Sequence, residues 1–282
     1  MAQCCALTYN QKDNTMNGPI YQPAGRAREY SPYALNIYTG CTHGCDYCYC
    51  PRVLHMDSSA YFHRPSPRSG IVSALTRQLA STSFDKQVLL SFVGDCFCDT
   101  SDDSATALEC LDILRDTKTP TAILTKGGNR LFRAEGQILG FQRGLVSVGA
   151  TLTFANDKDS HDHEPGAASP AERMDTLRMF HEAGVKTFAS FEPVLDPEQS
   201  LALIRECAES GILDTYKVGK LNGHPLASTI DWRRFLDRAV EILRGNGCDF
   251  YIKDDLAAFG RDLRFSPRER DTDAHIVRTR TA

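Results

Sequence analysis

The chain has 282 residues, a length that suits one large domain or two smaller ones, and α/β barrels commonly reach this size. Hydrophobic residues make up 41% of the chain and charged residues 24%, which excludes a wholly disordered protein. With 32 Lys and Arg against 36 Asp and Glu, the net charge is −4, so any contact with nucleic acid needs a local basic patch.

The distribution of apolar residues predicts a cytoplasmic protein that makes no contact with a membrane. Residues 1–10 carry neither the basic start nor the apolar stretch of a secretion signal. No apolar run approaches the roughly 20 residues that span a bilayer. Because a reducing cytoplasm disfavours structural disulfides, the 11 cysteines point to metal binding or redox chemistry.

Three segments are predicted along the chain. Residues 1–33 are polar and interrupted by Gly and Pro, which indicates an N-terminal arm laid over the main domain. Residues 34–258 alternate short apolar runs with segments of helical period. Residues 259–282 mix arginines with acidic residues, and we expect them to form a disordered polar tail.

The middle segment predicts a parallel α/β fold. Apolar runs rich in β-branched and aromatic residues predict seven strands, at 34–38, 87–93, 121–124, 145–152, 186–191, 215–218 and 249–252. Helical periodicity predicts helices at 71–80, 104–115, 130–139, 169–183 and 232–243. Such alternation indicates a partial parallel (β/α)6 TIM-like barrel, with a doubly wound open sheet as the alternative. In both folds, the function is expected at the C-terminal ends of the strands.

A cysteine cluster follows the first predicted strand directly. Cys41, Cys45 and Cys48 have the spacing C-x3-C-x2-C, and Cys50 comes two residues later. A zinc site usually takes four ligands from two separated pairs, and no second C-x2-C pair follows. Three thiolates can instead hold three irons of a 4Fe–4S cube and leave the fourth iron open. A zinc knuckle or a loop of reduced cysteines is the alternative.

With Tyr47 before its third cysteine, the loop resembles the radical S-adenosylmethionine (radical SAM) superfamily, whose pattern is C-x3-C-x-φ-C with φ aromatic. The resemblance implies that Cys41, Cys45 and Cys48 ligate a 4Fe–4S cluster and that S-adenosylmethionine (SAM) caps the open iron. Cys50 is then either a bystander thiol or an alternative ligand. An electron donor such as flavodoxin or ferredoxin is also implied.

Longer stretches are similar to one branch of that superfamily, the spore photoproduct lyase-like group, whose members are often labelled DNA repair photolyases. The stretches are residues 25–44, 123–126 and 164–173. This resemblance extends over about residues 20–255. It implies a radical SAM enzyme that cleaves SAM reductively to a 5′-deoxyadenosyl radical and abstracts hydrogen from its substrate.

Polar residues at strand ends complete the SAM site that the resemblance implies. Gly94 and Asp95 stand where many relatives have a Gly-Gly-Glu-like turn that contacts the methionyl amino group, although the sequence departs from that pattern. Lys126 ends the third strand, where a lysine of the family contacts the SAM carboxylate. Thr151 and Glu192 end the fourth and fifth strands, where they can meet the ribose. A structural ion pair is the alternative for Glu192.

Two further cysteines are candidates for the hydrogen donor of a lyase. Cys98 precedes a Thr-Ser-Asp stretch, as the donor cysteine does in the lyases that repair spore photoproduct, but with one residue inserted. Cys96 is the second candidate, and in an extended segment the two thiols point the same way. The alternative is a pair of inert cysteines. The loop 156–164 could suggest a second metal, but its spacing favours a solvated polar loop.

The substrate stays open at this point. A nucleic-acid lesion is one candidate, and a peptide, an RNA or a small metabolite are the others. Lys217 and Lys220 flank the end of the sixth strand, so alternation turns one of them inward, either towards an anionic substrate or into a buried salt bridge. Outside the enzyme class, the rival is a non-catalytic zinc or iron–sulfur adaptor.

Overall fold

A computed structural model describes residues 18–279 of the chain. Within this range the strands are β1 (Ile20–Tyr21), β2 (Tyr33–Leu35), β3 (Tyr38–Thr39), β4 (Ser66–Pro67), β5 (Val88–Leu90), β6 (Thr121–Thr125), β7 (Val146–Thr151), β8 (Lys186–Phe191), β9 (Thr215–Val218) and β10 (Phe250–Ile252). The main sheet has eight strands in the order β1–β2–β5–β6–β7–β8–β9–β10, and β3 pairs with β4 separately. From β2 to β10 every neighbouring pair is parallel, and only β1 runs antiparallel to its neighbour.

The helices fill the connections between these strands. They are α1 (Cys50–Val53), α2 (Ser58–Phe62), α3 (Ile71–Ser81), α4 (Ala105–Asp116), α5 (Glu135–Leu139), α6 (Asp157–His163), α7 (Pro170–Glu182), α8 (Pro197–Ser210), α9 (Trp232–Gly245), α10 (Asp254–Ala257) and α11 (Pro267–Arg270). Short 3₁₀ segments lie at Gly25–Glu29, Gly128–Ala134, Pro225–Ser228 and Thr272–His275. Within residues 18–279, none of the helices combines the length and the apolar character that a membrane crossing requires.

The predicted fold class is confirmed: an α/β fold with a mostly parallel sheet that stays open as a partial barrel. All seven predicted strands are present, although the first is divided between β2 and β3. The helix predicted at 169–183 is α7, and it begins with a capping box, because Ser169 accepts from the Glu172 N–H and the Glu172 side chain accepts from the Ser169 N–H. Helix α8 was not predicted. Asp196 caps it and Pro197 occupies its first turn.

Side chains fill the barrel interior below the C-terminal ends of the parallel strands, which we call the upper end of the barrel. Leu89, Ala122 and Phe188 form a buried cluster between neighbouring strands. Gly149 in β7 faces them, and a Cβ there would lie 2.3 Å from the Phe188 ring. A glycine in this strand is therefore required by the close approach of the phenylalanine.

The C-terminal segment differs from the disordered tail that the sequence predicts for residues 259–282. Residues 259–279 hold α11 and a 3₁₀ turn and lie against the barrel, with Val277 only 4% exposed. Arg268 donates to Asp249, and Asp273 accepts from Arg28 and Lys86 at 3.0 and 2.9 Å. The mixed charge of this segment is thus used in ion pairs with the barrel and the arm. Residues 280–282 lie outside the described residues.

Candidate cofactor site

The loop of residues 40–50, which we call the cysteine loop, connects β3 to α1 at the upper end of the barrel. Its backbone is fixed at both ends: the Cys41 N–H donates to the Tyr61 carbonyl at 3.1 Å, and the Cys48 N–H donates to the Cys45 carbonyl at 3.1 Å. Gly40 has φ +98°, and a Cβ there would lie 2.8 Å from the Tyr61 oxygen. The three spaced cysteines are free thiols held in one shaped turn.

A buried His–Asp pair anchors the cysteine loop to the strand ends. His43 is 2% exposed, and its Nε2 lies 2.8 Å from Oδ2 of Asp95, while its Nδ1 lies 3.1 Å from the Gly166 carbonyl. The Asp95 carboxylate also accepts from the Thr125 hydroxyl and from the Lys126 N–H, both at 2.8 Å. Burial alone raises the pKa of Asp95, but the His43 ring and the hydrogen bonds lower that pKa to about 2. One carboxylate therefore ties the loop to the segments that follow β5 and β6.

These contacts bear on the predicted roles of Gly94 and Asp95. Gly94 has φ +86°, and a Cβ there would lie 2.6 Å from the Gly40 oxygen, so this residue brings two backbones together. Asp95 is 7% exposed, and both of its oxygens already accept hydrogen bonds from protein groups. The structure gives both residues a task in holding the cysteine loop. Their contact with the methionyl amino group stays a prediction.

Lys126 lies against the cysteine loop, as its predicted role requires. Its Nζ is 3.6 Å from the Cys45 sulfur, 2.6 Å from the Tyr47 hydroxyl and 3.1 Å from Oε1 of Glu164. Its ammonium also lies 4.7 Å from the centroid of the Tyr47 ring. The structure thus brings two predicted cofactor residues, Tyr47 and Lys126, to one of the three cysteines.

Glu164 was placed by the sequence analysis only in the loop 156–164 and at the start of the stretch 164–173, and its position beside Lys126 was not predicted. Its carboxylate is 1% exposed and binds Lys126, the Tyr47 hydroxyl and the guanidinium of Arg173, which is also 1% exposed. Burial raises the pKa of Glu164, but the two cations outweigh it and hold the pKa at about 2. The one signal in the sequence is Arg173 itself, because it directly precedes the apolar stripe of α7 and so lies close to its buried face.

The segment predicted as a solvated polar loop, residues 156–164, is mostly the short helix α6. Asn156 caps it by accepting from the Asp159 N–H at 2.9 Å. At its other end, Nδ1 of His163 lies 2.7 Å from Asp46 of the cysteine loop, and the His163 ring stacks on Phe154. Most of the segment is exposed, as predicted, but it is a helix rather than a loop, and its C-terminal end contacts the cysteine loop.

The remaining cysteines separate into two environments. Cys98 and Cys50 are buried together with Cys41, and the Cys98 thiol lies against the Cys41 thiol. Cys96 belongs to the main core instead, 3% exposed, with its sulfur 3.9 Å from the Ser91 hydroxyl. Residues 91–99 follow turns, so the extended geometry that would point both thiols the same way is absent there. Their donor role stays a prediction.

Thr151 and Glu192 end β7 and β8 as predicted, and the structure shows what each contacts. The Thr151 carbonyl accepts from Arg173 at 2.9 Å. Glu192 binds the Lys253 ammonium at 2.6 Å and accepts from the Tyr30 hydroxyl at 2.8 Å. The ion pair that the sequence left open for Glu192 is therefore present. Contact of either residue with a ribose stays a prediction.

A partial parallel barrel with a three-cysteine loop at the C-terminal strand ends is the architecture of a radical SAM protein. The family description "Radical SAM superfamily" matches residues 35–210, more than half of the chain, and the chain belongs to that superfamily. The family implies SAM and an iron–sulfur cluster as cofactors.

The descriptions of the curated relatives state no activity. The uncharacterized proteins Rv2578c of Mycobacterium tuberculosis (strain ATCC 25618 / H37Rv) and Mb2609c of Mycobacterium bovis (strain ATCC BAA-935 / AF2122/97) are each 25% identical to this chain over 170 residues. The match covers 58% of this chain and 49% of each relative, so the chain spans about half the length of the curated relatives it matches.

Solved structures agree on the fold. SuiB of Streptococcus suis bound to S-adenosylmethionine has a TM-score of 0.58 at 16% identity, covering 83% of this chain and 53% of SuiB. Spore photoproduct lyase complexed with dinucleoside spore photoproduct has a TM-score of 0.60 at 12% identity, covering 82% of this chain and 78% of the lyase. At these identities the likeness is one of fold alone.

The site contains the donor atoms that an iron–sulfur cluster needs. Thiolates are the usual ligands of iron–sulfur clusters, and Cys41, Cys45 and Cys48 are all reduced and free in one loop. The cation of Lys126 beside Cys45 suits a centre that collects negative charge on its sulfurs. Among residues 18–279, no three Cys, His, Asp or Glu side chains are gathered around a position for a single metal ion.

Proposed function

We propose that this protein is a radical SAM enzyme that holds a 4Fe–4S cluster on Cys41, Cys45 and Cys48 and abstracts hydrogen from a substrate. A cluster held by these three thiolates would supply the one electron needed for cleavage of SAM to methionine and a 5′-deoxyadenosyl radical. The observation that carries the proposal is the convergence of Lys126 and Tyr47 on Cys45, with Lys126 3.6 Å from its sulfur. Membership of the radical SAM superfamily also supports this proposal.

The residues around the cysteine loop would bind and orient SAM. Lys126 offers a positive charge for the SAM carboxylate, as a point charge at the end of a flexible stem can. Glu164 and Arg173 are buried behind it and hold its ammonium near Cys45. Asp95 fixes the loop through His43, so the cysteines and Lys126 keep one geometry when SAM enters.

A lyase reaction on a nucleic-acid lesion is the finer proposal, and it depends on a hydrogen donor. Of the two candidate thiols, Cys98 is the better placed, because it lies with Cys41 at the cysteine loop while Cys96 lies in the main core. Spore photoproduct lyase, whose fold this chain shares, has been solved with a lesion bound. Modification of a peptide is the competing reaction, since SuiB has been solved with its precursor peptide.

Cofactor analysis tests the proposal against the rival adaptor. Anaerobically reconstituted protein should contain about four irons with matching sulfide, and dithionite should bleach its visible spectrum. With SAM added, the reduced protein should release 5′-deoxyadenosine. One colourless zinc per chain, with no product from SAM, would instead identify an adaptor.

Solvent labelling tests the lyase reaction. The loaded enzyme is incubated in deuterated water with a dinucleoside lesion and, separately, with peptide and metabolite pools. A thiol donor exchanges with solvent, so a Cys98-dependent lyase places deuterium in the repaired product. Cys98→Ala should abolish that labelling, and Cys96→Ala serves as the matched variant that retains it. Equal labelling in both variants would remove Cys98 from the reaction.

A further inference from the structure

Lys126 contacts one of the cysteines of the cysteine loop directly. Its Nζ donates to the Cys45 sulfur at 3.6 Å and to the Tyr47 hydroxyl at 2.6 Å. Only 13% of its side chain is exposed, so water and salt screen its charge weakly. The ammonium is therefore held against one of the three proposed cluster ligands by contacts that the protein makes alone.

A buried carboxylate also faces this ammonium. Oε1 of Glu164 lies 3.1 Å from Nζ of Lys126 and accepts from the Tyr47 hydroxyl as well. Burial lowers the pKa of Lys126, but the sulfur of Cys45 and the carboxylate of Glu164 outweigh it and hold that pKa well above its ordinary value. Lys126 is therefore a cation at neutral pH in spite of its burial.

Arg173 fixes the carboxylate in this place. The side chains of Arg173 and Glu164 are 1% and 0% exposed, and the two form an ion pair. The guanidinium is itself anchored to the backbone, because it donates to the carbonyls of Ala168 and Thr151, both at 2.9 Å. Glu164 is therefore held facing Lys126 by a cation that cannot easily move.

Charges beside the sulfur ligands of an iron–sulfur cluster change its reduction potential. Reduction moves one electron from a donor such as a flavodoxin or ferredoxin, which is oxidised, to the cluster, which is reduced. A positive charge and an N–H donor at a ligand sulfur favour the state with the added electron, whereas a nearby carboxylate disfavours it. In a buried region these effects are strong, because little water is present to screen the charges.

We propose that Lys126 raises the reduction potential of the cluster through the Cys45 sulfur, and that Glu164 counteracts this effect. The inference rests on the proposed function, because it needs a cluster that Cys45 ligates. Glu164 acts through the ammonium that it faces, so it is a positioning residue rather than a ligand. Because the two side chains carry opposite charges, making each one neutral should shift the potential in opposite directions.

Redox titration of the cluster-loaded full chain tests this assignment. Electron paramagnetic resonance follows the fraction of reduced cluster as the solution potential is lowered stepwise. Lys126→Met should shift the equilibrium against reduction about tenfold or more, which is about 59 mV for a one-electron couple. Glu164→Gln, which keeps an acceptor oxygen for Tyr47 and Arg173, should shift the potential the other way. SAM is left out, because its carboxylate would add a negative charge beside Lys126.

Lys158→Met is the matched control for charge. It removes one ammonium from α6, but the Lys158 side chain is 82% exposed and pairs with Asp162 at 2.7 Å. Water and salt screen such a charge, so its loss should leave the potential as it is in the wild type. Lys126→Arg keeps the positive charge and should stay closer to the wild type than Lys126→Met does. These two variants of Lys126 decide the proposal if Glu164→Gln does not fold.

Three results would overturn the proposal. One is a potential in Lys126→Met equal to that in Lys158→Met. Another is a shift of Lys126→Met and Glu164→Gln in the same direction, which a general disturbance of the cysteine loop would cause. The third is a folded Lys126→Met variant that holds no iron, which would make Lys126 a residue of cluster assembly. Iron content and 5′-deoxyadenosine release are measured on the wild type in the same series: a wild type without a cluster refutes the proposed function, whereas a loaded cluster with an unchanged potential refutes only this inference.

Discussion

The two sides of the barrel treat buried charge differently. Around the cysteine loop the buried carboxylates have close partners: Asp95 is hydrogen-bonded to His43, and Glu164 lies between the cations of Lys126 and Arg173. Around β9 and β10 the buried ammonium of Lys217 donates to the Tyr30 carbonyl at 2.8 Å and forms no salt bridge within residues 18–279, because the carboxylates of Glu29 and Asp273 act on it from farther away. On the first side the buried charges are in contact with their partners, whereas on the second the cost of burying Lys217 shows in its lowered pKa. The two sides should therefore respond differently to substitution and to pH.

The largest predicted effect of a substitution is loss of the iron–sulfur cluster. Replacing Cys45 with Ala removes one of three thiolates, and we expect the iron content to fall from about four per chain to near zero. Cys50→Ala should keep the cluster, because Cys41, Cys45 and Cys48 alone have the spacing of the superfamily, although the Cys50 thiol contacts the Cys48 thiol. Iron and sulfide analysis after anaerobic reconstitution gives the answer. Equal loss of iron in both variants would make Cys50 a ligand.

The balance of charge beside the cysteine loop can be broken at Glu164. Glu164→Ala leaves the Arg173 guanidinium buried without a carboxylate, with only neutral acceptors such as the Thr151 carbonyl, which should lower the free energy of unfolding by about 3–5 kcal/mol. Asp162→Ala is the matched control, because it removes an exposed carboxylate from α6 whose salt bridge to Lys158 is worth at most about 1 kcal/mol. Urea denaturation of both variants measures the two losses. Equal losses would mean that the buried network adds nothing.

A smaller effect is expected for Lys126→Ala, which should lower the affinity for SAM and leave the cluster in place. Lys126→Ala removes a charge-assisted contact worth roughly 1.5–3 kcal/mol, so SAM affinity should fall about ten- to a hundredfold. Cluster content should stay unchanged, because the Glu164–Arg173 pair survives. Calorimetry on the anaerobic, cluster-loaded variant measures the affinity. An unaltered affinity would place the SAM carboxylate elsewhere.

The lowered pKa of Lys217 predicts that stability depends on pH. Lys217 is faced by Tyr30, Phe188 and the Glu192-paired Lys253, with Glu29, Arg28 and Asp273 farther away, and its pKa is lowered to about 7. Between pH 7 and 10.5 the Lys217 amine is protonated in the unfolded chain but neutral in the folded chain. Burial of the charged lysine therefore lowers the free energy of unfolding by its full amount below pH 7, and this loss of stability declines as the pH rises towards 10.5.

Lys217→Met, which carries no such penalty, should therefore be more stable than the wild type at pH 7. The stability advantage of Lys217→Met should shrink by about 2 kcal/mol between pH 7 and pH 9. Urea denaturation of both proteins at the two pH values measures the difference. A constant difference would mean that Lys217 does not titrate in this range.

The sequence predicted the parts of this molecule that depend on local pattern. The strands were found because buried parallel strands are apolar along their whole length, and the cysteine loop was found by its spacing. Glu164 was missed because its burial depends on partners at residues 126 and 173, which no local pattern places beside it. Tyr30 was assigned to an outer arm, although its side chain enters the barrel. Pairings between distant residues decided each of these differences.

The contact between the N-terminal arm and the C-terminal segment means that the two sides of the barrel can form their contacts at different times during synthesis. Arg28 and Asp273, which help to hold the Tyr30 segment in place, are 245 residues apart in the chain. A ribosome must therefore add 245 residues after Arg28 before that contact can form, whereas Asp95 and Lys126 are only 31 residues apart. The half of the barrel that holds the cysteine loop can fold while the chain is still growing, and the half that holds Lys217 must be finished last.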